Sequence, residues 1–330
     1  MQTTIEGIKK LINAAIMTGN PLLITGQPGA GKSEAVAQAA RDRAWGLVDV
    51  RLTTIDPVDL RGLPVVQDGT AWFADLGFLP RVDRGGENGI LFFDELPQAP
   101  MATQNAAFQL IWDRMVGTYE LPDGWHIIAA GNRVQDRAGA NRLNAALANR
   151  FTHAELTTDV DQWCTWALGA GVSPEIVAFI RFRPELLSDF DGDRPVNPTP
   201  RTWSMAARYV SQGLDEGTEW LALTGTIGEG AASEFLAFLR VWRSLPSIDN
   251  VFLDPNGSPL PTEASARYAT CGALARRVTV NTAQPFVEYI KRLPAEYGVV
   301  AMKDAITRDA EIGKSAAAVS WYSDHTAIYS

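Results

Sequence analysis

Short runs of apolar or alternating residues recur through the first half of the chain, separated by segments whose apolar residues follow helical spacing. Runs of this length, bounded by Gly, Pro or polar residues, are typical of β-strands. They fall at residues 21–25, 47–52, 89–93, 125–130 and 151–156. Helical spacing predicts helices at residues 5–17, 34–44, 102–115 and 141–150. The alternation of the two patterns predicts an α/β fold for this part of the chain.

After Leu156 the pattern changes to helical stripes. Residues three or four positions apart share an apolar face in several segments, which is typical of helices packed on one another. Examples of such stripes are Trp203, Ala206, Ala207 and Val210, and then Phe235, Phe238, Leu239 and Trp242. We therefore predict an α/β domain at residues 1–157, a helical domain at 158–245 and a helical extension at 246–330.

The segment from Thr53 to Arg81 fits neither pattern. Its six glycines and prolines forbid a long helix, yet it contains apolar pieces and is not of low complexity. Such a segment suggests an inserted functional excursion, and we predict irregular structure there. A glycine-containing turn within residues 116–123 predicts a short hairpin.

A glycine-rich octapeptide follows the first strand-like run. It has the form G-x-x-x-x-G-K-[ST] and consists of Gly26, Gln27, Pro28, Gly29, Ala30, Gly31, Lys32 and Ser33. Between a strand and a helix, such a loop directs backbone N–H groups and a helix N-terminus at phosphate oxygens. The lysine adds positive charge near the β- and γ-phosphates, and the serine hydroxyl can ligate Mg²⁺. The alternative is an ordinary glycine-rich turn, but the flanking strand and helix favour a site for ATP and Mg²⁺.

Two carboxylates, Asp94 and Glu95, follow the apolar run at residues 89–93. This pattern is typical of a buried parallel strand whose carboxyl edge binds ligands. We expect Asp94 to hold Mg²⁺ opposite Ser33, and Glu95 to polarise the attacking water. The two tasks need separate carboxylates, because the metal neutralises one whereas the other must accept a proton. The alternative interpretation is a strand that ends in a solvated turn.

Two further polar side chains occupy positions suited to an anionic ligand. Asn132 follows the run at 125–130, where its amide can hydrogen-bond a γ-phosphate and the attacking water; alternatively, it caps a turn. Arg201 lies in the first turn of a predicted helix, where the helix dipole opposes a cation. An anionic ligand would offset that cost, and the alternative is a surface arginine at a helix start.

The bulk composition limits the classes of function and the compartment. The net charge is −9 and the pI is near 5.0, whereas nucleic-acid-binding surfaces normally carry a basic patch. No apolar run approaches membrane-spanning length, and the first residues lack the features of a signal peptide. The two cysteines, Cys164 and Cys271, are most simply buried thiols. We therefore expect a cytoplasmic protein without membrane insertion, and nucleic acid is not the expected partner.

The motifs together resemble those of AAA+ ATPases in order and spacing. The glycine-rich loop comes first, then the strand before Asp94, the strand before Asn132, and the sequence Leu-Ala-Asn-Arg-Phe at 147–151. The resemblance covers residues 5–245 and implies a parallel five-stranded sheet, a helical lid at 158–245 and a hexameric ring. By the same resemblance, residues 246–330 extend the lid.

Three shorter segments resemble the MoxR branch of this superfamily, which includes RavA-like and CbbQ-like proteins. They are Asp-Pro-Val-Asp-Leu-Arg-Gly at 56–62, Glu-Leu-Pro-Gln-Ala-Pro at 95–100 and Thr-Gln-Asn-Ala at 103–106. This resemblance implies that residues 56–78 form the helix-2 insert and residues 117–122 the pre-sensor-1 hairpin, which face the pore or top surface of the ring in relatives.

The resemblance also implies roles for three polar residues. Asn132 matches sensor 1, Arg150 matches the arginine finger that completes a neighbouring subunit's site, and Arg201 matches sensor 2. The implied activity is hydrolysis of Mg·ATP by a homo-oligomeric ring that remodels or activates a client protein. In this family the partner is typically a protein with a von Willebrand factor A domain.

Two other functions stay open on the sequence. A DNA-dependent ATPase, such as a helicase loader or a restriction-type motor, fits the same nucleotide motifs, although the acidic charge argues against it. A nucleotide-gated scaffold that hardly turns over is the other, and the intact pair Asp94-Glu95 argues against that.

Overall fold

The computed structural model describes residues 1–74, 77–136, 139, 143 and 145–324. The chain divides into two compact units. The first comprises Met1–Thr158 together with Phe190–Pro195, and the second comprises Asp159–Asp189 and the residues from 196 onward. The finer division into 1–157, 158–245 and 246–330 stays a prediction.

The strands of the first unit are β1 (Gln2–Thr3), β2 (Leu22–Gly26), β3 (Gly46–Arg51), β4 (Leu63–Gln67), β5 (Thr70–Ala74), β6 (Gly89–Asp94), β7 (Met115–Val116), β8 (Tyr119–Glu120), β9 (Trp125–Gly131) and β10 (Thr152–Leu156). Within the described residues, the main sheet has six parallel strands in the order β1-β10-β2-β9-β6-β3. The α/β fold is therefore confirmed, with one strand more than the five expected. The added strand, β1, has two residues and is too short to give a periodic signal.

The helices of the first unit are α1 (Ile5–Thr18), α2 (Lys32–Arg41), α3 (Pro57–Arg61), α4 (Val82–Gly85), α5 (Met101–Asp113) and α6 (Ala145–Ala148). Ile90 and Phe92 of β6 pack in one apolar cluster with α1 and α2. Leu91 and Phe93 pack in a second cluster with α5. Both faces of β6 are thus buried, which explains why this strand is continuously apolar. Part of the helix predicted at 141–150 lies outside the described residues, and α6 covers the part that is described.

The predicted irregular excursion at 53–81 contains more regular structure than expected. It includes α3 and an antiparallel hairpin of β4 and β5, in which Val65 pairs with Trp72. The expectation of irregular structure was therefore wrong for these residues, although residues 75 and 76 lie outside the described part. The hairpin turns at Asp68 and Gly69, whose φ angles are 51° and 74°. Positive φ at both central residues is typical of a type I′ turn, for which Asp-Gly is a preferred sequence.

The short hairpin predicted within 116–123 is present as β7 and β8, and it contacts the β4–β5 hairpin. The hydroxyl of Thr118 donates to the carbonyl oxygen of Phe73 at 2.6 Å. Gly117 has φ of 58°, and a Cβ at this position would lie 2.9 Å from the carbonyl oxygen of Arg61. Gly117 and Thr118, which lie between β7 and β8, therefore pack closely on the backbone of Arg61 and Phe73.

In its described residues, the second unit contains helices, turns and loops but no β-strand. The helices are α7 (Val160–Gly169), α8 (Pro174–Phe182), α9 (Pro200–Val210), α10 (Glu216–Ile227), α11 (Glu229–Arg243), α12 (Ile248–Leu253), α13 (Ala264–Arg277), α14 (Ala283–Ile290), α15 (Ala295–Arg308), α16 (Ala310–Gly313) and α17 (Ala316–Asp324). None of the described helices is long and apolar enough to cross a membrane. Among its described residues, the unit contains two apolar clusters, one around Phe179 and Trp203 and the other around Phe286 and Trp321.

A buried ion pair joins α8 to α15 in the second unit. The Arg181 guanidinium donates to both carboxylate oxygens of Asp304, at 3.1 and 2.6 Å, and also to Asp161 at 2.8 Å. Cys164 and Cys271 are buried free thiols, as predicted. Burial raises the pKa of the Cys164 thiol to about 12 and also raises the pKa of Cys271.

Candidate functional site

The glycine-rich loop connects the end of β2 to the start of α2. Gly29 and Gly31 have φ angles of 75° and 97°, in the left-handed region that glycine adopts without strain. A Cβ at Gly26 would lie 2.9 Å from the carbonyl oxygen of Leu156 on the neighbouring strand β10. Glycine is therefore required both for the loop conformation and for its close packing against β10.

The Lys32 side chain lies across the loop. Its Nζ donates to the carbonyl oxygens of Gly26 at 2.9 Å and Gln27 at 3.0 Å. It also donates to Oδ1 of Asn132 at 2.9 Å, although 100 residues separate the two positions in sequence. Lys32 is only 8% exposed. The structure thus brings Asn132, predicted from the end of another strand, to the predicted phosphate-binding lysine.

The Ser33 hydroxyl, in the first turn of α2, donates to Oδ2 of Asp94 at 2.9 Å. Asp94 is the last residue of β6 and is 8% exposed. The loop that follows β2 and the end of β6 meet here, because parallel strands place their carboxyl ends at one edge of the sheet. A hydroxyl and a carboxylate oxygen in contact are the oxygen ligands that Mg²⁺ prefers. The residues present therefore fit the predicted metal.

Glu95 adopts a left-handed conformation, with φ of 59° and ψ of 30°. Its backbone N–H donates to Oδ1 of Asp94 at 2.9 Å, and its carboxylate accepts from the hydroxyl of Thr53. The Nε of Arg51 lies 3.9 Å from the same carboxylate. Sequence reasoning missed Thr53 and Arg51 as neighbours of the site. The fold brings them there, because Arg51 ends β3 and pairs with Asp94 on β6, and Thr53 follows two residues later.

Negative charge accumulates at this edge of the sheet. Burial raises the pKa of Asp49 on β3, and the negative charge of Asp94 raises it further. The guanidinium of Arg51 acts in the opposite direction and lowers it. A cation bound between Ser33 and Asp94 would offset this accumulated charge.

Arg133 follows Asn132 and was not singled out from the sequence. Its Nε and Nη2 donate to the two carboxylate oxygens of Asp136 at 2.9 and 2.7 Å. Its Nη1 donates to Glu155 on β10 at 2.9 Å. These hydrogen bonds, with Asp136 as the largest cause, raise the pKa of Arg133 above its ordinary value. The residue after Asn132 is therefore held by two carboxylates.

The segment that carries Asn132 also packs against the segment after Glu95. Gly131 ends β9, and a Cβ there would lie 2.2 Å from Cδ of Pro97. That proline lies in a 3₁₀ turn at Leu96–Gln98. Any side chain at position 131 would therefore collide with the chain that leaves Glu95.

Arg150 lies against the aromatic residues of α5. Its guanidinium is 4.9 Å from the ring centroid of Phe108 and 4.6 Å from that of Trp112, and Nη1 donates to the carbonyl oxygen of Ala146 at 3.1 Å. Its Nε is buried without a hydrogen-bond partner. Among the described residues, Arg150 has no carboxylate partner and no polar contact with the glycine-rich loop. The structure therefore does not bring this residue into the site of its own chain.

Arg201 is the second residue of α9 and has an exposed side chain. The start of the helix is fixed by Thr199 and Thr202, each of which accepts from the backbone N–H of the other, at 3.2 and 2.8 Å. Arg201 belongs to the second unit, so its role at the nucleotide stays a prediction.

Comparison with known proteins agrees with this geometry. Residues 21–151 match the family model described as AAA domain (dynein-related subfamily). No curated protein sequence matches the chain.

Solved structures that are similar to the chain include NtrX from Brucella abortus in complex with ATP. That similarity has 15% identity, 96% coverage of this chain, 65% coverage of the other and a TM-score of 0.42. The chain thus spans 65% of the length of that NtrX chain. The RuvB Holliday junction branch migration motor of Thermotoga maritima is similar with 17% identity, 82% and 80% coverage and a TM-score of 0.39.

The matched segment contains the glycine-rich loop, Asp94, Glu95, Asn132 and Arg150, that is, the predicted site residues of the first unit. Residues 21–151 of this chain are therefore similar to AAA domains.

Proposed function

We propose that this chain hydrolyses Mg·ATP and works as a homo-oligomeric ring of the AAA+ class. One observation carries the proposal: Lys32, Ser33, Asp94 and Asn132 converge within hydrogen-bonding distance from three separate strand ends. A phosphate-binding loop, a metal ligand pair and a polar strand-end amide are the parts that phosphoryl transfer needs. The adjacent Glu95 supplies the carboxylate for water activation.

ATP would lie on the glycine-rich loop with its phosphates at the start of α2. Lys32 would exchange its contacts to the loop carbonyls for contacts to the β- and γ-phosphates. Ser33 and Asp94 would hold Mg²⁺, which supplies positive charge against the phosphate oxygens. Glu95 would accept a proton from the attacking water. The oxygen of Asn132 already accepts from Lys32, so its amide nitrogen is the group left to donate to a phosphate or to the water.

Oligomerisation is supported by the position of Arg150. The guanidinium lies on Phe108 and Trp112, away from carboxylates of the described residues, and Trp112 is 57% exposed. An arginine held in this way is available to a neighbouring subunit, and the resemblance to arginine fingers gives it that role. By the same resemblance the ring is a hexamer and Arg201 acts as sensor 2.

A client protein is proposed from the resemblance to MoxR ATPases and from two linked hairpins. The β4–β5 hairpin exposes Val66 at 72% and Trp72 at 45%, and the β7–β8 hairpin is joined to it through Thr118. Exposed apolar side chains grouped on one projection are typical of an interaction surface. We propose a chaperone-like activation of a partner with a von Willebrand factor A domain.

Phosphate release from ATP by the purified chain, with and without Mg²⁺, tests the proposed function. Lys32→Ala should lose nucleotide binding and hydrolysis while its circular dichroism stays unchanged. Lys291→Ala, at an exposed ion pair with Asp324 in the second unit, is the matched control and should keep both. Normal ATP affinity in Lys32→Ala would contradict the proposal.

The client is tested by co-purification with the tagged protein. Recovery of a protein with a von Willebrand factor A domain, dependent on ATP, is the expected result. Hydrolysis that rises with added duplex DNA and weakens steeply with salt would instead indicate a DNA-dependent ATPase.

A further inference from the structure

The guanidinium of Arg133 connects the turn after β9 to β10. Arg133 donates to both oxygens of Asp136 in the 3₁₀ turn at Val134–Asp136, and to Glu155 of β10. Asp136 is 7% exposed, and the side chains of Arg133 and Glu155 are 19% and 24% exposed. The contacts are therefore shielded from solvent, where ion pairs hold their geometry better than at an open surface.

We call the hydrogen bonds of Arg133 to Asp136 and Glu155 the Arg133 clamp. This clamp is connected to the glycine-rich loop because Glu155 lies on β10, which pairs with β2. Glu155 lies opposite Thr25 in the parallel pairing of β10 with β2, and Thr25 precedes Gly26. The Gly26 carbonyl oxygen accepts from Lys32, and Lys32 donates to Asn132. Asn132 is followed directly by Arg133. These contacts and the pairing of β10 with β2 therefore connect Arg133 to Lys32 and back to Asn132, at the phosphate end of the site.

The arrangement specifically requires a guanidinium. Three N–H groups in a rigid planar fork reach two carboxylates at once, whereas a lysine ammonium provides a point charge on a flexible stem. Arg133→Lys would therefore keep the charge but lose the simultaneous bidentate and bridging contacts. The turn that carries Asn132 would then be held less firmly, since the hydrogen bond to Lys32 and the packing of Gly131 on Pro97 would remain but the connection to β10 would be weakened.

We propose that Arg133 is a positioning residue for hydrolysis, which acts by holding Asn132 at the phosphate end of the site. The inference rests on the proposed ATPase function. Arg133 points to Asp136 and Glu155 and so does not touch the nucleotide; its effect passes through Asn132. Since misplacement of a positioned group by about 1 Å can cost roughly 100-fold in rate, loss of the clamp should lower kcat rather than nucleotide affinity.

The test compares Arg133→Lys with the wild type in kcat, in KM and in the dissociation constant of a non-hydrolysable ATP analogue. We expect kcat to fall roughly 10- to 100-fold, with little change in analogue binding. Arg181→Lys is the matched control, because Arg181 also bridges two carboxylates, Asp304 and Asp161, but does so in the second unit. The control should lower the melting temperature and leave kcat close to that of the wild type.

A double-mutant cycle with Asn132→Ala separates positioning from general stabilisation. If Arg133 acts through Asn132, then Arg133→Lys should cause little further loss of kcat in the Asn132→Ala background. Multiplicative losses in the double variant, or a wild-type kcat in folded Arg133→Lys, would overturn the inference.

A second variant covers the case in which Arg133→Lys does not fold. Glu155→Gln keeps the pair of Arg133 and Asp136 and weakens only the connection to β10, so a smaller fall in kcat is expected. Full activity of folded Glu155→Gln would overturn the inference as well. Absence of hydrolysis in the wild type would contradict the proposed function itself, which is a different outcome from an active wild type with an equally active variant.

Discussion

The hydroxyl of Ser33 and the carboxylate of Asp94 are in direct contact at 2.9 Å, at the junction of α2 and β6. The two predicted Mg²⁺ ligands are thus hydrogen-bonded directly to each other. For Mg²⁺ to bind between the two side chains, this hydrogen bond must break, and the Asp94 carboxylate must carry its negative charge to ligate the cation.

Asp94→Asn should therefore raise the Mg²⁺ concentration that hydrolysis requires. The amide retains the size of the carboxylate but not its charge, so the Mg²⁺ concentration for half-maximal rate should rise by roughly 10-fold or more. Titration of Mg²⁺ at fixed ATP measures the effect. Asp83→Asn, at an exposed position of α4, serves as the control, and an unchanged Mg²⁺ requirement in Asp94→Asn would contradict the assignment.

Glu95→Gln should bind ATP but lose roughly 10²- to 10⁴-fold in turnover, the usual contribution of a positioned base. The glutamine can still accept from the hydroxyl of Thr53, so the local structure should persist. Single-turnover hydrolysis and equilibrium binding of ATP measure the two quantities separately. Turnover at the wild-type rate would show that another group activates the water.

Arg150→Ala and Lys32→Ala subunits should complement each other when they assemble in one ring. Each variant alone should be inactive, but a mixed ring pairs some intact loops with intact arginines, and such arginines are typically worth roughly 10³ to 10⁵ in rate. Phosphate release by rings proven to be mixed is the measurement. Full-rate hydrolysis by a strictly monomeric form would refute the trans role.

Substitution of the exposed apolar residues Val66 and Trp72 by serine should spare basal hydrolysis and prevent recovery of the client. These side chains project from the β4–β5 hairpin and make no contact with the nucleotide site in the described residues. Basal phosphate release and pull-down of the partner are the two measurements. A control substitution of Leu253, which is 83% exposed on α12 in the second unit, should change neither.

Cys164 and Cys271 should resist alkylation in the native protein. Burial raises the pKa of Cys164 to about 12, so its nucleophilic thiolate is scarce near neutral pH, and burial also excludes the reagent. Mass spectrometry after treatment with iodoacetamide should find labelling at both positions only in denaturant. Rapid labelling of either thiol in the folded chain would show that the second unit opens readily.

Five of the six strands described in the main sheet were predictable because each of them has a local signal. The continuously apolar β6 and the alternating β3 show their burial in their own residues, and the carboxylates that end β6 show the edge of the sheet. The β4–β5 hairpin was missed because its proline and glycine were interpreted as breakers of regular structure, whereas Asp68-Gly69 forms its turn.

Residues of the site could be predicted only where the residue type and its place in a motif themselves indicate the chemistry. Lysine and serine in the glycine-rich loop have such a signal, but Arg133 does not, because its role depends on Asp136 and on a strand more than twenty residues away in sequence. Thr53 likewise has no chemical signal of its own and acquires a partner only when β3 pairs with β6.

The contact of Gly131 with Pro97 leaves no room for a methyl group between the chain that carries Asn132 and the chain that leaves Glu95. The segments that carry the amide and the acid are thus held together by the packing of Gly131 on the Pro97 ring, and a change at Gly131 would disturb both. Selection for hydrolysis from a library randomised at position 131 would therefore return glycine alone, although this residue touches no nucleotide.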